Sequence, residues 1–140
     1  MATERTLAII KPDAVRAGNV GLIFTLLERQ FKIVQMKMDH FCAEEVIEFY
    51  REHEGKSFFR QLVQFMSGGD IVAIVLESEN AIAKFRGLLG NADPNIAEFG
   101  TIRSLYGTKI PANAAHGSDS SGAAKREIDL IFGKGFFQKR

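Results

Sequence analysis

Six consecutive apolar residues, Ile71-Val72-Ala73-Ile74-Val75-Leu76, constrain this chain more than any other stretch. A run with no polar residue, preceded by the breaker pair Gly68-Gly69, reads as a strand buried along its whole length. It is far too short to span a bilayer. The remaining elements must therefore cover it, and a chain of 140 residues with 46% hydrophobic content can do so as one domain over residues 1–140 without disulfide staples.

Those elements can be placed by periodicity. Residues 5–10, Arg-Thr-Leu-Ala-Ile-Ile, form a first strand with Lys11 at its end, interrupted by Pro12-Asp13 because proline cannot donate to a ladder. Val20, Ile23, Phe24 and Leu27 follow at helical spacing, then Val34, Met36 and Met38 alternate with Gln35, Lys37 and Asp39 as a second strand. A helix from about Ala43 carries Val46, Ile47 and Phe49 toward the core and ends near Tyr50. Ser57 is positioned to cap a short helix bearing Phe58, Phe59, Leu62, Val63 and Met66. After the buried strand, Asn80 is placed to cap a helix with Ile82, Phe85 and Leu89 on one face, Arg86 on its surface and Gly90 at its end.

Residues 90–111 lose periodicity apart from a short turn around 101–105, a loop long enough to expect a function of it. A brief strand near 113–116 and a helix over about 121–132 complete the pattern. Phe136 and Phe137 in the tail are expected to pack on the body or on a neighbouring subunit, because leaving them wet is costly. The order strand, helix, strand, helices, strand, helix, strand predicts an α+β domain: a ferredoxin-like, four-stranded antiparallel sheet with helices packed on one face.

Composition excludes several function classes. A net charge of +1 and dispersed basic residues do not suit a dedicated nucleic-acid binder. The lone Cys42 has no internal disulfide partner, which points to a reducing, cytoplasmic setting, and neither a secretory signal nor a membrane segment is expected. No Walker loop and no metal-ligand spacing of His, Cys, Asp or Glu occurs, so no protein metal site is expected.

The chemistry concentrates in Asn113-Ala114-Ala115-His116-Gly117-Ser118-Asp119-Ser120, where one histidine stands among small residues that allow a large substrate to approach. This segment resembles the active-site signature of the nucleoside diphosphate kinases. The likeness extends from Glu4-Arg5-Thr6 through Ile10-Lys11-Pro12-Asp13 and Gly100-Thr101-Ile102-Arg103 to Glu127-Ile128, in the manner of the shorter bacterial members. The resembled family has the ferredoxin-like fold. It implies that His116 takes a phosphoryl group from a nucleoside triphosphate, usually ATP, and passes it to a diphosphate by a ping-pong route. A neutral imidazole offers the lone pair, and phosphoryl on nitrogen stays transferable.

Further roles follow from the same resemblance. Lys11, Arg86 and Arg103 are the cations expected to surround the phosphates, since phosphoryl transfer depends on electrostatic stabilisation. Gly117 permits a sharp turn after the histidine, Ser118 is placed to donate to a phosphate oxygen, and Glu127 supports the histidine. Asn113 matches the residue that bonds the sugar hydroxyl with Lys11, and Tyr50 matches the tyrosine near the phosphates. Phe58 is the expected stacking platform for the base, with Leu62 and Ile110 as apolar neighbours, which implies weak base discrimination. Magnesium is expected to arrive on the nucleotide phosphates, and the chain to form a homo-oligomer, a tetramer or hexamer built from dimers. His40 and His53 are read as structural or surface residues.

The sequence departs from the resembled pattern at Gly90-Asn91-Ala92-Asp93-Pro94, where Ala92 replaces a threonine that contacts phosphate. Asn91 or a water is the expected compensation. Ser57 replaces a frequent proline, and the turn at 28–31 is one residue shorter. A rival reading of another class is a ferredoxin-like nucleotide-sensing module without transferase activity, which would share Phe58, Arg86 and Arg103 but have no use for His116.

Overall fold

The computed structural model describes residues 3–133 and 135–138. Strand β1 (Thr3–Ile10) runs into a short helix α1 (Pro12–Arg16), and α2 (Val20–Gln30) leads to β2 (Lys32–His40). Helix α3 (Ala43–Phe49), a 3₁₀ turn at Arg51–His53 and α4 (Phe59–Met66) precede β3 (Asp70–Glu79). Helices α5 (Ala81–Leu89) and α6 (Ile102–Tyr106) then lead to β4 (Ala115–Gly117) and α7 (Ser121–Phe132), with a last 3₁₀ turn at Phe136–Gln138. The sheet has the order β2-β3-β1-β4 and every pairing is antiparallel. This is the expected α+β arrangement.

Helices cover both faces of the sheet, which corrects the expectation of one. The reason lies in β1 and β3 themselves. Alternate side chains of a strand point to opposite faces, so an unbroken apolar run is apolar on both. Leu7, Ile9, Ile71, Ala73 and Val75 pack with Val46, Phe49, Leu62, Met66 and Ile131 from α3, α4 and α7. Ala8, Ile10, Val72, Ile74 and Leu76 pack with Ala14, Ile23, Leu27, Ala81, Phe85 and Leu89 from α1, α2 and α5.

Local differences have local causes. Pro12 ends β1 as expected but also opens α1, because its fixed φ suits the first turn of a helix and its missing N–H costs nothing there. Helix α4 begins at Phe59 with Phe58 at the cap position, so Ser57 does not cap it. Asn80 does precede α5, but in a left-handed conformation with no side-chain cap; the Glu4 carboxylate from β1 accepts from Ile82 N–H at 2.9 Å instead. Ile47 is exposed while Val46 and Phe49 are buried. Met36 and Met38 follow the expected strand alternation, yet both lie exposed on the edge strand, beyond an irregularity between Ile33 and Gln35.

The tail forms a turn where none was expected. Phe136 is buried and meets Phe41 edge-on at 6.2 Å, and Phe137 lies 5.4 Å from the same ring under the Lys37 ammonium. Both phenylalanines thus pack on the body. Lys134, Lys139 and Arg140 lie outside the described residues. Among the described residues no helix is long and apolar enough to cross a membrane.

Candidate active site

His116 is the middle residue of β4, paired with Ile9 of β1. That register turns its ring to the same face as Ile9, toward α3 and α7. There it meets Phe49 at 5.3 Å and Tyr50 at 5.7 Å, both edge-on, which leaves the imidazole little freedom to tilt. Its Nε2 lies 2.9 Å from Glu127 Oε1. A carboxylate only accepts, so Nε2 carries the proton and the lone pair of the neutral ring is on Nδ1.

Glu127, expected from the resemblance to support the histidine, is on α7 and 3% exposed. Burial works against its charge, but the His116 and Ser118 hydrogen bonds and the nearby Arg126 outweigh it and hold the carboxyl below its usual range. It is therefore ionised at neutral pH. The Ser118 hydroxyl donates to Glu127 Oε1 at 2.7 Å and accepts from Leu7 N–H at 3.4 Å. Ser118 is fully buried behind the carboxylate, so the expected donation to a phosphate oxygen is replaced by support of Glu127.

Two adjoining cavities open in front of His116. One, of about 250 Å³, is lined by Lys11, Tyr50, His53, Phe58, Gln61, Leu62, Ala92, Ile110, Pro111, Asn113 and His116. The other, of about 310 Å³, is lined by Tyr50, Glu52, His53, Arg86, Ala92, Arg103, His116, Gly117, Asp119 and Glu127. They share Tyr50, His53, Ala92 and His116. Every residue expected at the site lines one or both, except Ser118 and Asn91, the residue expected to compensate for Ala92.

The first cavity has an apolar outer end. Phe58 is 45% exposed although aromatic, and faces the space with the buried Leu62 and the exposed Ile110. An exposed aromatic beside aliphatic neighbours suits the flat face of a ring system. Its inner end is polar. Lys11 Nζ donates to Asn113 Oδ1 at 2.7 Å and to the Pro111 carbonyl at 3.3 Å, while Asn113 Nδ2 donates to the Ala92 carbonyl at 2.8 Å. Each group keeps unused capacity: one ammonium proton, one amide proton and one oxygen lone pair.

The second cavity is cationic. The Arg103 guanidinium donates to the Gly90 carbonyl at 3.0 Å and the Ala115 carbonyl at 2.9 Å, which ties the end of α5 and the start of β4 to α6. Burial and the neighbouring Arg86 bring Arg103 down to about 10. Burial, with Arg103 as the next cause, brings Lys11 from 10.5 to about 7. Three positive groups from distant parts of the chain are thus close enough to repel. Such convergence is favourable only when an anion joins them. The Tyr50 hydroxyl is buried without a protein partner among the described residues, and burial keeps it protonated, a donor available at this wall.

Residues 4–136 match the family model for nucleoside diphosphate kinase. The chain belongs to the nucleoside diphosphate kinase family. It is accordingly a nucleotide-binding phosphotransferase, and the alternative of a sensing module is not favoured. The nucleoside diphosphate kinase of Aquifex aeolicus is 42% identical, with a TM-score of 0.92 over 95% of this chain and 97% of that one. The halophilic enzyme of Halobacterium salinarum, solved in complex with CDP, is 41% identical, with a TM-score of 0.91 over 95% of this chain and 90% of that one.

Sequence reasoning missed several residues of these walls. His53, read as structural, lines both cavities, 6.2 Å from the Tyr50 ring and 5.6 Å from Phe58. Its position between two expected site residues was the available signal. Gln61 and Pro111 line the first cavity, and Glu52 and Asp119 the second, without a pattern that singled them out. Asn91 lines neither; its side-chain oxygen accepts from Asp93 N–H at 2.9 Å within its own turn, so Asn91 does not supply the expected compensation for Ala92.

Proposed function

We propose that this member of the family transfers the terminal phosphoryl group through His116 by a ping-pong route. The observation that carries it is the ionised, buried Glu127 on Nε2, which leaves the Nδ1 lone pair free where His116 borders two adjoining cavities, one lined by Lys11 and the other by Arg86 and Arg103. Nδ1 attacks the terminal phosphorus of a nucleoside triphosphate, the bond to the bridging oxygen breaks, and the diphosphate leaves. A second diphosphate then takes the group from nitrogen. Glu127 stabilises the positive charge that develops on the ring, and the cations stabilise the phosphate oxygens. Phe58 and Leu62 receive the base and Asn113 with Lys11 the sugar hydroxyl. Such an apolar platform supports weak base discrimination, and CDP, the nucleotide of the Halobacterium salinarum complex, is a natural ligand to try.

Magnesium would enter on the nucleotide phosphates. No trio of His, Cys, Asp or Glu among the described residues is arranged to hold an ion. When bound it neutralises phosphate charge. The open edge strand β2 with exposed Met36 and Met38 supports a homo-oligomer, and the lone Cys42 supports a cytoplasmic setting.

Incubation with γ-labelled ATP and magnesium should place acid-labile, base-stable label on His116, and that label should move to an added diphosphate of another base. Binding without label would overturn the route. Two smaller effects should accompany it. Ala92→Thr restores a hydroxyl at the wall both cavities share, and should tighten nucleotide binding by about 1 kcal/mol, roughly fivefold; unchanged affinity in calorimetry counts against a missing donor.

Lys11 provides a pH signature. Its folded pKa, about 7, lies below the ordinary 10.5, so burial of the charged amine costs stability fully below pH 7, and that cost fades as pH rises from 7 toward 10.5. Bound phosphate favours the charged form. Nucleotide binding at pH 8 should therefore take up a proton, and affinity should fall as pH rises through 7. Calorimetry in buffers of different ionisation enthalpy measures this directly, and Lys11→Met should abolish the uptake.

A further inference from the structure

The buried end of α1 carries a carboxylate that none of these roles uses. Its partner is unusual. Ala114, between Asn113 and the histidine strand, has φ +78, a left-handed conformation rare for a residue with a side chain. Ala115 N–H donates to the Asn113 carbonyl at 3.0 Å and closes a γ-turn of the strained, positive-φ kind around it. Such a turn persists only where its surroundings over-determine it.

Both peptide groups of Ala114 are held by one short segment. Lys11 N–H donates to the Ala114 carbonyl at 2.9 Å, and Ala114 N–H donates to Asp13 Oδ2 at 3.1 Å. The acceptor is well anchored, because Pro12 opens α1 directly after the central strand β1. Burial pushes the Asp13 carboxyl up, yet the Ala114 N–H, Lys11 and the first amides of the helix pull against that.

The turn determines where Asn113 is presented. On leaving Pro111, the backbone must reverse at Ala114 for the Asn113 side chain to reach Lys11 on one side and Ala92 on the other. His116 does not depend on the turn in the same way. It is held by β4 pairing to β1 and by Glu127.

We propose that Asp13 is a positioning residue for nucleotide binding: by accepting the Ala114 N–H it holds the γ-turn that presents Asn113, with Lys11, to the cavity. It acts through Asn113 and touches no substrate. The assignment rests on reading that cavity as the nucleotide site. A purely helix-capping carboxylate would lower stability without separating KM from the chemistry at His116.

The test compares Asp13→Ala and Asp13→Asn in steady-state transfer and in direct phosphorylation of His116 by phosphoramidate, a donor with no nucleoside. Asp13→Ala should raise KM for the diphosphate about tenfold, while phosphoramidate labelling stays within about twofold of wild type. Asp13→Asn keeps an oxygen acceptor and should stay within about threefold of the wild-type KM. Adding Ala114→Gly to Asp13→Ala should restore KM, since glycine adopts positive φ without strain.

An unchanged KM in Asp13→Ala, equal loss in both assays, or no restoration by glycine overturns the proposal. If Asp13→Ala does not fold, Asp13→Asn decides alone, and a tenfold rise in its KM overturns it. Should the wild-type chain bind diphosphate without transferring phosphoryl, the route through His116 fails by itself, and the same comparison is read from calorimetric affinities.

Discussion

His116→Ala is expected to yield a folded, nucleotide-binding protein whose turnover is lower by about 10⁴-fold or more. No other group lining the cavities can take over. Tyr50 is kept protonated by burial, Lys11 is held by Asn113 and Pro111 and is driven to its charged, non-nucleophilic form by bound phosphate, and His53 meets Lys56 Nζ through its Nδ1 at 2.9 Å. The fold should survive because Glu127 keeps its Ser118 hydrogen bond at 2.7 Å. Leaving the rest of that carboxylate unpaired costs on the order of 1–3 kcal/mol against a total stability of about 5–15 kcal/mol. Circular dichroism, calorimetric titration with a diphosphate and coupled turnover measurements check the three parts. Turnover within tenfold of wild type would sink the role given to His116.

The second large effect is on stability. Phe85→Ala should cost about 3–5 kcal/mol, because it removes a fully buried ring from a close-packed face. Phe85 meets Phe31 edge-on at 6.1 Å. It also lies under β4, the strand that carries His116: a Cβ built on Gly117 would stand 2.8 Å from Phe85 Cε2 and 2.7 Å from Leu89 Cδ1. Glycine is therefore required after His116 by the closeness of α5, beyond any need for a sharp turn. A urea titration should show the loss, with a melting temperature lower by about 10 °C or more, and turnover should fall as β4 loses its support. A cost under 1 kcal/mol would mean that α5 settles onto the sheet and fills the space.

The elements legible in the sequence were those with strong periodicity. The six-residue run became the interior of β3, and α2, α5 and α7 lie where the apolar spacing placed them. The short ones were missed or displaced. Helix α1 spans five residues, Pro12–Arg16, and depends on Pro12 as a helix start, a role the residue shares with ending a strand. Strand β4 begins at Ala115 because the γ-turn at Ala114 takes Asn113 out of extended geometry, and nothing in the alanine pair announces that.

The site was legible in a different sense. The resemblance supplied twelve residues without their geometry, and the structure brings eleven to two adjoining cavities and places Ser118 behind them. His53 escaped because a lone histidine carries no periodic signal, whereas Glu127 was named only through the resemblance, its neighbours in sequence being largely polar.

By itself the sequence determined which segments must be buried, that β1 and β3 are apolar along their length, and which residue types stand ready for phosphoryl chemistry. These follow from side-chain hydrophobicity and chain-local spacing. Only the tertiary structure decided that both sheet faces are covered, that Glu127 sets the tautomer of His116, and that Arg103 is repelled by Arg86 and in turn repels Lys11 at two adjoining cavities. Burial and Coulomb interaction act through space, between residues up to a hundred positions apart, and no local pattern records them.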